Sequence, residues 1–331
     1  MLVKLREWDV RTAPADEIAS LLAVLNAGLA VDLPDDPQWQ ADHFREYMAE
    51  LMPGQRRKSW IAESDASLVG HMSLLGMADA GVIELLVDPR RRTHGLGRQL
   101  LAGATRWAAA NGYTSLGVEV PGGTPAVAFY EGLGFRLAYA EIRSVLTVAA
   151  MDWPMIGEMA EGVGSGYRLE YHAGGPPPEL LASYATAKSE LPGAGGGSPT
   201  DPDAAALLRE SIACLRRRGL EPHVVVALHL RTGEVAGLTE VVVPAQRPER
   251  ADQYDTIIVP DHRGYGIDRA IKARMLLELR TAAPQVRQVQ TWNAPDDHAL
   301  LKINSDIGFR PDRQWLEFEA DVATLLARLD S

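Results

Sequence analysis

The chain has 331 residues, a hydrophobic fraction of 46%, a charged fraction of 23% and a formal net charge of -11. At about 150 residues per domain this length predicts two domains, the acidity argues against nucleic acid as the main partner, and no apolar run reaches the ~18 residues that span a bilayer. The charged first seven residues do not read as a signal peptide, and the single cysteine, Cys214, excludes an intrachain disulfide and fits a reducing cytoplasm.

Residues 2–8 read as a strand, and residues 15–29 as a helix with Ile18, Leu21, Leu22, Leu25 and Leu29 on one face. After a break at 32–37, residues 39–51 resume a helix. Residues 59–63 and 68–77 look like paired strands around a turn at Asp65-Ala66. Residues 82–87 are a short, nearly all-apolar strand, ended by Asp88-Pro89 because proline cannot donate to a ladder. From Leu96 apolar residues recur at Leu100, Ala104, Trp107 and Ala108, a helical spacing that Asn111-Gly112 stops. Residues 115–120 read as a further strand, and residues 135–146 as a last strand or hairpin. Strands and helices in this order predict a mixed α/β fold.

The turn Pro89-Arg90-Arg91-Arg92-Thr93-His94-Gly95-Leu96-Gly97 therefore opens a helix. The first turn of a helix leaves several N–H groups without partners, and its dipole favours an anion there. Gly95 and Gly97, lacking Cβ atoms, let a diphosphate approach the backbone. No Lys-Ser/Thr follows, so this is not a Walker loop.

The spacing Arg92-x-x-Gly95-x-Gly97 resembles the acyl-CoA pyrophosphate loop of the GNAT superfamily of N-acetyltransferases. Downstream, Ala126 to Phe135 resembles that family's closing signature, with Tyr130-Glu131 and Gly134-Phe135 in the expected places; Gly123 stands where the family often has Asn. The resemblance implies acetyl-CoA as acetyl donor. It assigns cofactor contacts to Leu85, Leu86 and Val87 on the strand and to Arg92, Thr93, His94, Gly95, Leu96, Gly97 and Arg98 in the loop. It also implies Tyr130 as general acid to the leaving thiolate and the Val87 amide as the donor that polarises the thioester. Glu84, on the strand before the loop, is the first candidate base, and Glu119 on the next strand is the second.

Residues 148–165 shift in composition and read as a linker helix carrying Met151, Met155 and Met159 on one face. Domains at 1–147 and 166–331 follow. The second half repeats the first: strands at 167–171, 224–230, 234–243, 256–259 and 286–292, and helices at 179–190, 204–218 and from Ile267. A Gly/Pro/Ser-rich loop lies at 192–202. Its pattern His262-Arg263-Gly264, Asn293-Ala294 and Asn304 to Phe309 is similar to the C-terminal domain of double GNAT proteins of the mycothiol synthase type.

Aligning Pro89 with Pro260 sets Gly97 against Asp268, and Asn304 replaces the tyrosine. Two like charges ~4 Å apart repel by about 1 kcal/mol in water and about 4 kcal/mol at an effective dielectric of 20, whereas a helix N-terminus offers an anion about 0.3–2 kcal/mol. The second domain is thus expected to be a degenerate copy that shapes the acceptor site. The expected activity is N-acetylation of a small-molecule amine by direct attack in a ternary complex. No metal, nucleic acid or membrane partner is expected, and the state is monomer or homodimer. The alternatives are catalysis in the second domain, protein N-acetylation, and a non-catalytic acyl-CoA-binding module.

Overall fold

The computed structural model describes residues 3–64, 67–190 and 203–330, so the turn at Asp65-Ala66 and the loop at 192–202 lie outside the described residues. The elements are β1 (Lys4–Trp8), α1 (Ala15–Asp32), α2 (Phe44–Ala49), β2 (Arg56–Ser64), β3 (Ser67–Met77), β4 (Ala80–Val87), α3 (Leu96–Ala110), β5 (Ser115–Pro121), α4 (Pro125–Gly132) and β6 (Arg136–Thr147). They continue with α5 (Trp153–Glu161), β7 (Tyr167–Ala173), α6 (Leu181–Lys188), α7 (Ala204–Arg217), β8 (Leu220–His229), β9 (Val235–Pro244), β10 (Arg250–Ile258), α8 (Ile267–Ala282), β11 (Gln288–Asn293), α9 (His298–Ile307), β12 (Arg310–Asp321) and α10 (Val322–Asp330). This is the mixed α/β arrangement that the sequence predicts.

The chain forms two compact units, Met1–Ile142 with Arg313–Ser331, and Arg143–Asp312. The division thus differs from the composition shift at 148–165: β6 crosses the first limit, and the last nineteen residues belong with the first unit. Within the first unit the strand order is β1-β2-β3-β4-β5-β12, with residues 136–142 of β6 beyond β12. β12 pairs antiparallel with β5, setting Phe318 opposite Val118 and Glu317 opposite Glu119. No local pattern in the sequence announces a pairing between segments two hundred residues apart.

Two helical layers cover the first sheet. On one face α3 buries Leu100, Leu101, Ala104 and Ala108 against Met72, Leu74, Ile83, Leu116 and Val118. On the other, α1 buries Leu21 and Val24 with Phe44, Met48, Ile61 and Leu68. Each fully buried leucine contributes about 1.5–3 kcal/mol. The helix expected over 39–51 is only Phe44–Ala49. The Asn26 side chain takes both the N–H and the carbonyl of Trp39, at 2.8 and 2.9 Å, and His43 adopts a left-handed conformation, so the helical run cannot start earlier.

The pairing of β4 with β5 is incomplete. β4 and β5 run parallel, yet they pair only at Ala80↔Ser115, Gly81↔Leu116 and Val82↔Gly117. Beyond that point β4 runs on to Val87 and β5 to Pro121 without pairing to each other, so the sheet opens into a wedge.

The second unit repeats the device. Its strand order is β6 (143–147)-β11-β10-β9-β8-β7, and β10 pairs with β11 only over Arg250–Asp252. That strand begins six residues before the expected 256. Its polar start is buried because Arg250 bonds Gln288 at 2.9 Å and Gln290 bonds Asp252 at 2.7 Å, a neighbour-dependent burial that hydropathy does not carry. Cys214 is buried in α7.

Lys272 of α8 is buried, with Thr256 Oγ1 3.4 Å from its Nζ and the Phe309 ring 5.8 Å away. Burial lowers its pKa to about 7. Between that value and 10.5 the unfolded chain binds the extra proton, so stability rises with pH across this window and is flat below it. Lys272→Met is expected to stabilise the protein by about 1–4 kcal/mol at pH 7. The gain should shrink towards pH 10.5, as read from urea midpoints at both pH values; an unchanged midpoint at pH 7 contradicts the burial argument.

Candidate functional site

The loop between β4 and α3 starts with a short 3-10 turn at Pro89–Arg91, where Asp88 Oδ1 accepts the Arg90 N–H at 3.0 Å. Thr93 and Gly95 then take positive φ, 66° and 80°, which turns the chain into the first turn of α3. Gln99 N–H bonds the Gly95 carbonyl. Among the described residues no acceptor meets the N–H groups of His94 to Arg98, so the amides of that turn form an anion cradle. A Cβ on Gly95 would meet only Gln99 Nε2 at 4.0 Å, leaving that face open, whereas one on Gly97 would lie 3.4 Å from Phe129 and 3.6 Å from Leu85. Gly97 thus lets α3 close onto β4 and α4.

The cationic side chains of this loop are engaged elsewhere. The Arg92 guanidinium forms a two-pronged pair with Asp32 of α1, 2.7 Å to each oxygen, and its Nε lies 3.4 Å from the Val87 carbonyl. Arg98 donates to the carbonyl of Arg328 at 2.5 Å, capping α10. Arg90 pairs with Asp88, and His94 Nδ1 contacts the Arg92 carbonyl at 2.6 Å. Arg92, His94 and Arg98 therefore offer the cradle their backbone rather than charged side chains. Thr93 Oγ1 likewise bonds the Arg92 carbonyl at 2.6 Å, and Leu96 is buried at the helix start.

β4 turns alternate residues in opposite directions. The Asp88 N–H bonds Val69 of β3, so Glu84 and Leu86 also face β3 with their main-chain groups, and Leu85 and Val87 face the wedge. The expected contribution of Leu86 is corrected accordingly: its amide belongs to the β3 ladder, and its side chain packs under α1.

Tyr130 of α4 is 3% exposed, with Phe129 and Phe135 edge-on at 5.0 and 5.1 Å. Burial raises its pKa above the ordinary phenol value, so the hydroxyl keeps its proton at neutral pH. Glu84 accepts a hydrogen bond from Ser73 Oγ at 2.8 Å and reaches solvent. Extending the register from Val82↔Gly117 puts Glu119 level with Glu84 on the far side of the wedge, on the same face. Glu119 exposes part of its surface, but the strands crowd its carboxyl. Desolvation first, then Glu317 and Glu84, raise its pKa, against a lowering hydrogen bond from Trp315. Desolvation first, then Glu317 and Glu119, raise the pKa of Glu141 of β6.

Sequence reading missed Asp32, Ser73, Glu141 and Glu317. Asp32 was legible only as a helix-ending residue, and Glu317 enters through the unforeseen strand β12.

In the second unit Gly264 and Gly266 adopt the same left-handed turn, with φ of 83° and 73°. Here, however, the Gly162 carbonyl stands 3.0 Å from where a Gly266 Cβ would be, and Gly164 N–H bonds the Tyr265 carbonyl. Asp268 accepts the Arg269 N–H at 2.8 Å, occupying one amide of the helix start. A cavity of about 540 Å³ beside this loop is lined by Glu158 and Asp268 as well as Arg269, itself paired with Asp306. Asn304, 1% exposed, donates to Asn293 at 2.8 Å. Among the described residues no group of three His, Cys, Asp or Glu is close enough to hold a metal ion, and no helix is long and apolar enough to cross a membrane.

The first unit thus has a wedge in a mixed sheet, an open amide cradle at a helix start and a buried tyrosine after the next strand. Residues 25–135 match the acetyltransferase (GNAT) family model. Over the whole chain the fold is that of a tandem GNAT protein. It is similar to a tandem GNAT protein from the clavulanic acid biosynthesis pathway, solved without AcCoA, with 23% identity, 97% of this chain and 99% of that one covered, and a TM-score of 0.85. It is also similar to a GCN5-related N-acetyltransferase from Sphaerobacter thermophilus, with 14% identity, coverage of 97% and 96%, and a TM-score of 0.68. No curated protein matches the chain in sequence.

The Arg92–Asp32 pair ties the loop to α1. Arg92→Gln and Asp32→Asn should each cost about 1–3 kcal/mol by leaving the other group unpaired. In a double-mutant cycle the two losses should not add; simple additivity in urea denaturation would show that the pair contributes nothing.

Proposed function

We propose that the first unit transfers an acetyl group from acetyl-CoA to the amine of a small molecule by direct attack in a ternary complex. The observation that carries this reading is the β4–β5 wedge, with unbonded amides of His94 to Arg98 on one side and the Glu84–Glu119 pair on the other. A diphosphate suits this turn because the N–H groups of His94 to Arg98 have no acceptor among the described residues and the Gly95 face is open. Acetyl-CoA, as substrate, supplies the activated acyl carbon.

The acceptor amine must be neutral to attack. At a lysine-like pKa of about 10.4 this costs roughly 4.6 kcal/mol at pH 7. Glu119 takes the proton, its raised pKa bringing it nearer to neutrality, and Glu84, fixed by Ser73, orients the ammonium before it is lost. The Leu85 and Val87 main-chain groups face the wedge and hold the thioester, with the Val87 amide at its carbonyl oxygen. Tyr130, kept protonated by burial, donates to the departing thiolate. Positioning both reactants in the wedge accounts for most of the acceleration.

The second unit is read as a degenerate copy. Gly162 over its loop, and the carboxylates of Asp268 and Glu158 beside it, oppose a diphosphate.

Steady-state release of CoA thiol, with binding measured by calorimetry, tests these roles. Tyr130→Phe and Glu119→Gln are each expected to lower kcat by about 10²–10⁴-fold while keeping CoA affinity. Gly97→Asp should abolish CoA binding in a protein whose circular dichroism is unchanged. Retained binding in Gly97→Asp with loss in Asp268→Arg would move the site to the second unit. Indifference of turnover to Tyr130→Phe would remove the acid role.

A further inference from the structure

Glu84 and its partner Ser73 have counterparts in the second unit. In the first unit Val87 pairs with Gly70 of β3; Glu84 stands three residues before Val87, and Ser73 three after Gly70. In the second unit Ile258 pairs with Gly237 of β9. Three residues before Ile258 is Asp255, and three after Gly237 is Glu240, where the ladder shifts register. Counted along each strand, Asp255 takes the place of Glu84 and Glu240 that of Ser73. The faces agree as well. Leu86, two residues beyond Glu84, packs with α1, and Ile257, two beyond Asp255, packs with Tyr184 and Ala187 of α6. α6 follows β7 as α1 follows β1.

The exposed Glu84 has only the Ser73 hydroxyl as a hydrogen-bond partner among the described residues, whereas its counterpart already holds an amine. Lys188, the last residue of α6, places Nζ 2.7 Å from Glu240 Oε2 and 2.7 Å from Asp255 Oδ2. Tyr184, one turn earlier and buried, donates to Glu240 Oε1 at 2.5 Å. Surface ion pairs contribute little, but this one is largely withdrawn from water, the Lys188 and Glu240 side chains being 26% and 13% exposed. Burial opposes the charge on Lys188, yet Glu240 and Asp255 outweigh it and raise its pKa, so the amine stays an ammonium. Without that cation the two carboxylates would be left withdrawn from water and uncompensated.

We propose that Lys188 is a built-in occupant of the second unit's amine subsite: Glu240, Asp255 and Tyr184 form a site for a primary alkylammonium, and the chain's own lysine fills it. This rests on the acetyl-transfer reading above, in which Glu84 orients the acceptor ammonium at the corresponding place. The ligand class follows from the acceptor oxygens. Two carboxylates on adjacent strands call for a cation that can donate more than one N–H bond, which a quaternary ammonium or a neutral alcohol cannot do. The second unit is then closed to an external amine by Lys188, as it is opposed to a diphosphate by Asp268.

The test uses the full chain. Lys188→Ala removes the three carbons and the nitrogen beyond Cβ, and n-propylammonium replaces them. In calorimetric titration n-propylammonium should bind Lys188→Ala about tenfold more tightly than it binds the wild type, and adding Asp255→Asn should weaken that binding about tenfold. Tetramethylammonium and 1-propanol should not bind. Equal affinity of n-propylammonium for wild type and Lys188→Ala, or no effect of Asp255→Asn, overturns the proposal. If Lys188→Ala does not stay folded, recovery of native circular dichroism on dilution from urea is read instead. n-Propylammonium chloride should then raise the recovered fraction above that in an equal concentration of tetramethylammonium chloride, because a ligand of the folded state stabilises it; equal recovery overturns the proposal. Rescue in a chain that acetylates no amine keeps the occupied site and removes the acetyl-transfer reading, while acetyl transfer without rescue keeps that reading and removes the occupant.

Discussion

The parallel pairing of β4 with β5 stops after Val82 and Gly117, and the candidate site of the first unit depends on that interruption. Backbone groups inside a sheet are normally consumed by the ladder. Where the strands part, the main-chain groups of Leu85 and Val87 are left facing a gap. The same parting brings the first turn of α3, with its unbonded amides, to the mouth of the gap, and sets Glu84 and Glu119 on either side of it. The unbonded amides, the main-chain groups at the gap and the facing carboxylates are thus placed by one missing stretch of hydrogen bonds.

The two units show how little is needed to change such a site. Both have a parallel pair that is short, β4–β5 in one and β10–β11 in the other, and both turn into the following helix through left-handed glycines. The differences are local. Gly95 is open where Gly266 faces the Gly162 carbonyl, Gly97 is replaced by Asp268, and Tyr130 by Asn304. Asp268 binds the amide next to it, an intramolecular anion at the place where the first unit keeps its amides unbonded. Lys272, buried without a carboxylate partner, marks the second unit as one that tolerates polar burial at a cost in stability.

Much of this was legible along the chain. The glycine spacing at Gly95 and Gly97, Tyr130 four residues ahead of Gly134, and the apolar period of α3 are local signals, and the resemblance they carry agrees with the family match over residues 25–135. The charges misled. Arg92 and Arg98 stand among the expected cofactor contacts, but their side chains are held by Asp32 and by the end of α10. A guanidinium's partner is fixed by three-dimensional neighbours, and Asp32 is sixty residues away from Arg92.

The sequence alone determined most of the element types up to residue 292, the duplication and the glycine turn that opens α3, because each rests on periodicity or on glycine and proline conformations confined to a few neighbouring residues. Only the tertiary structure decided that residues 313–331 complete the first unit, that the wedge begins after Val82, and that Glu317 stands opposite Glu119. Strand partners and register are set by packing between distant segments, and the energy of a like-charged pair exists only once those segments are side by side.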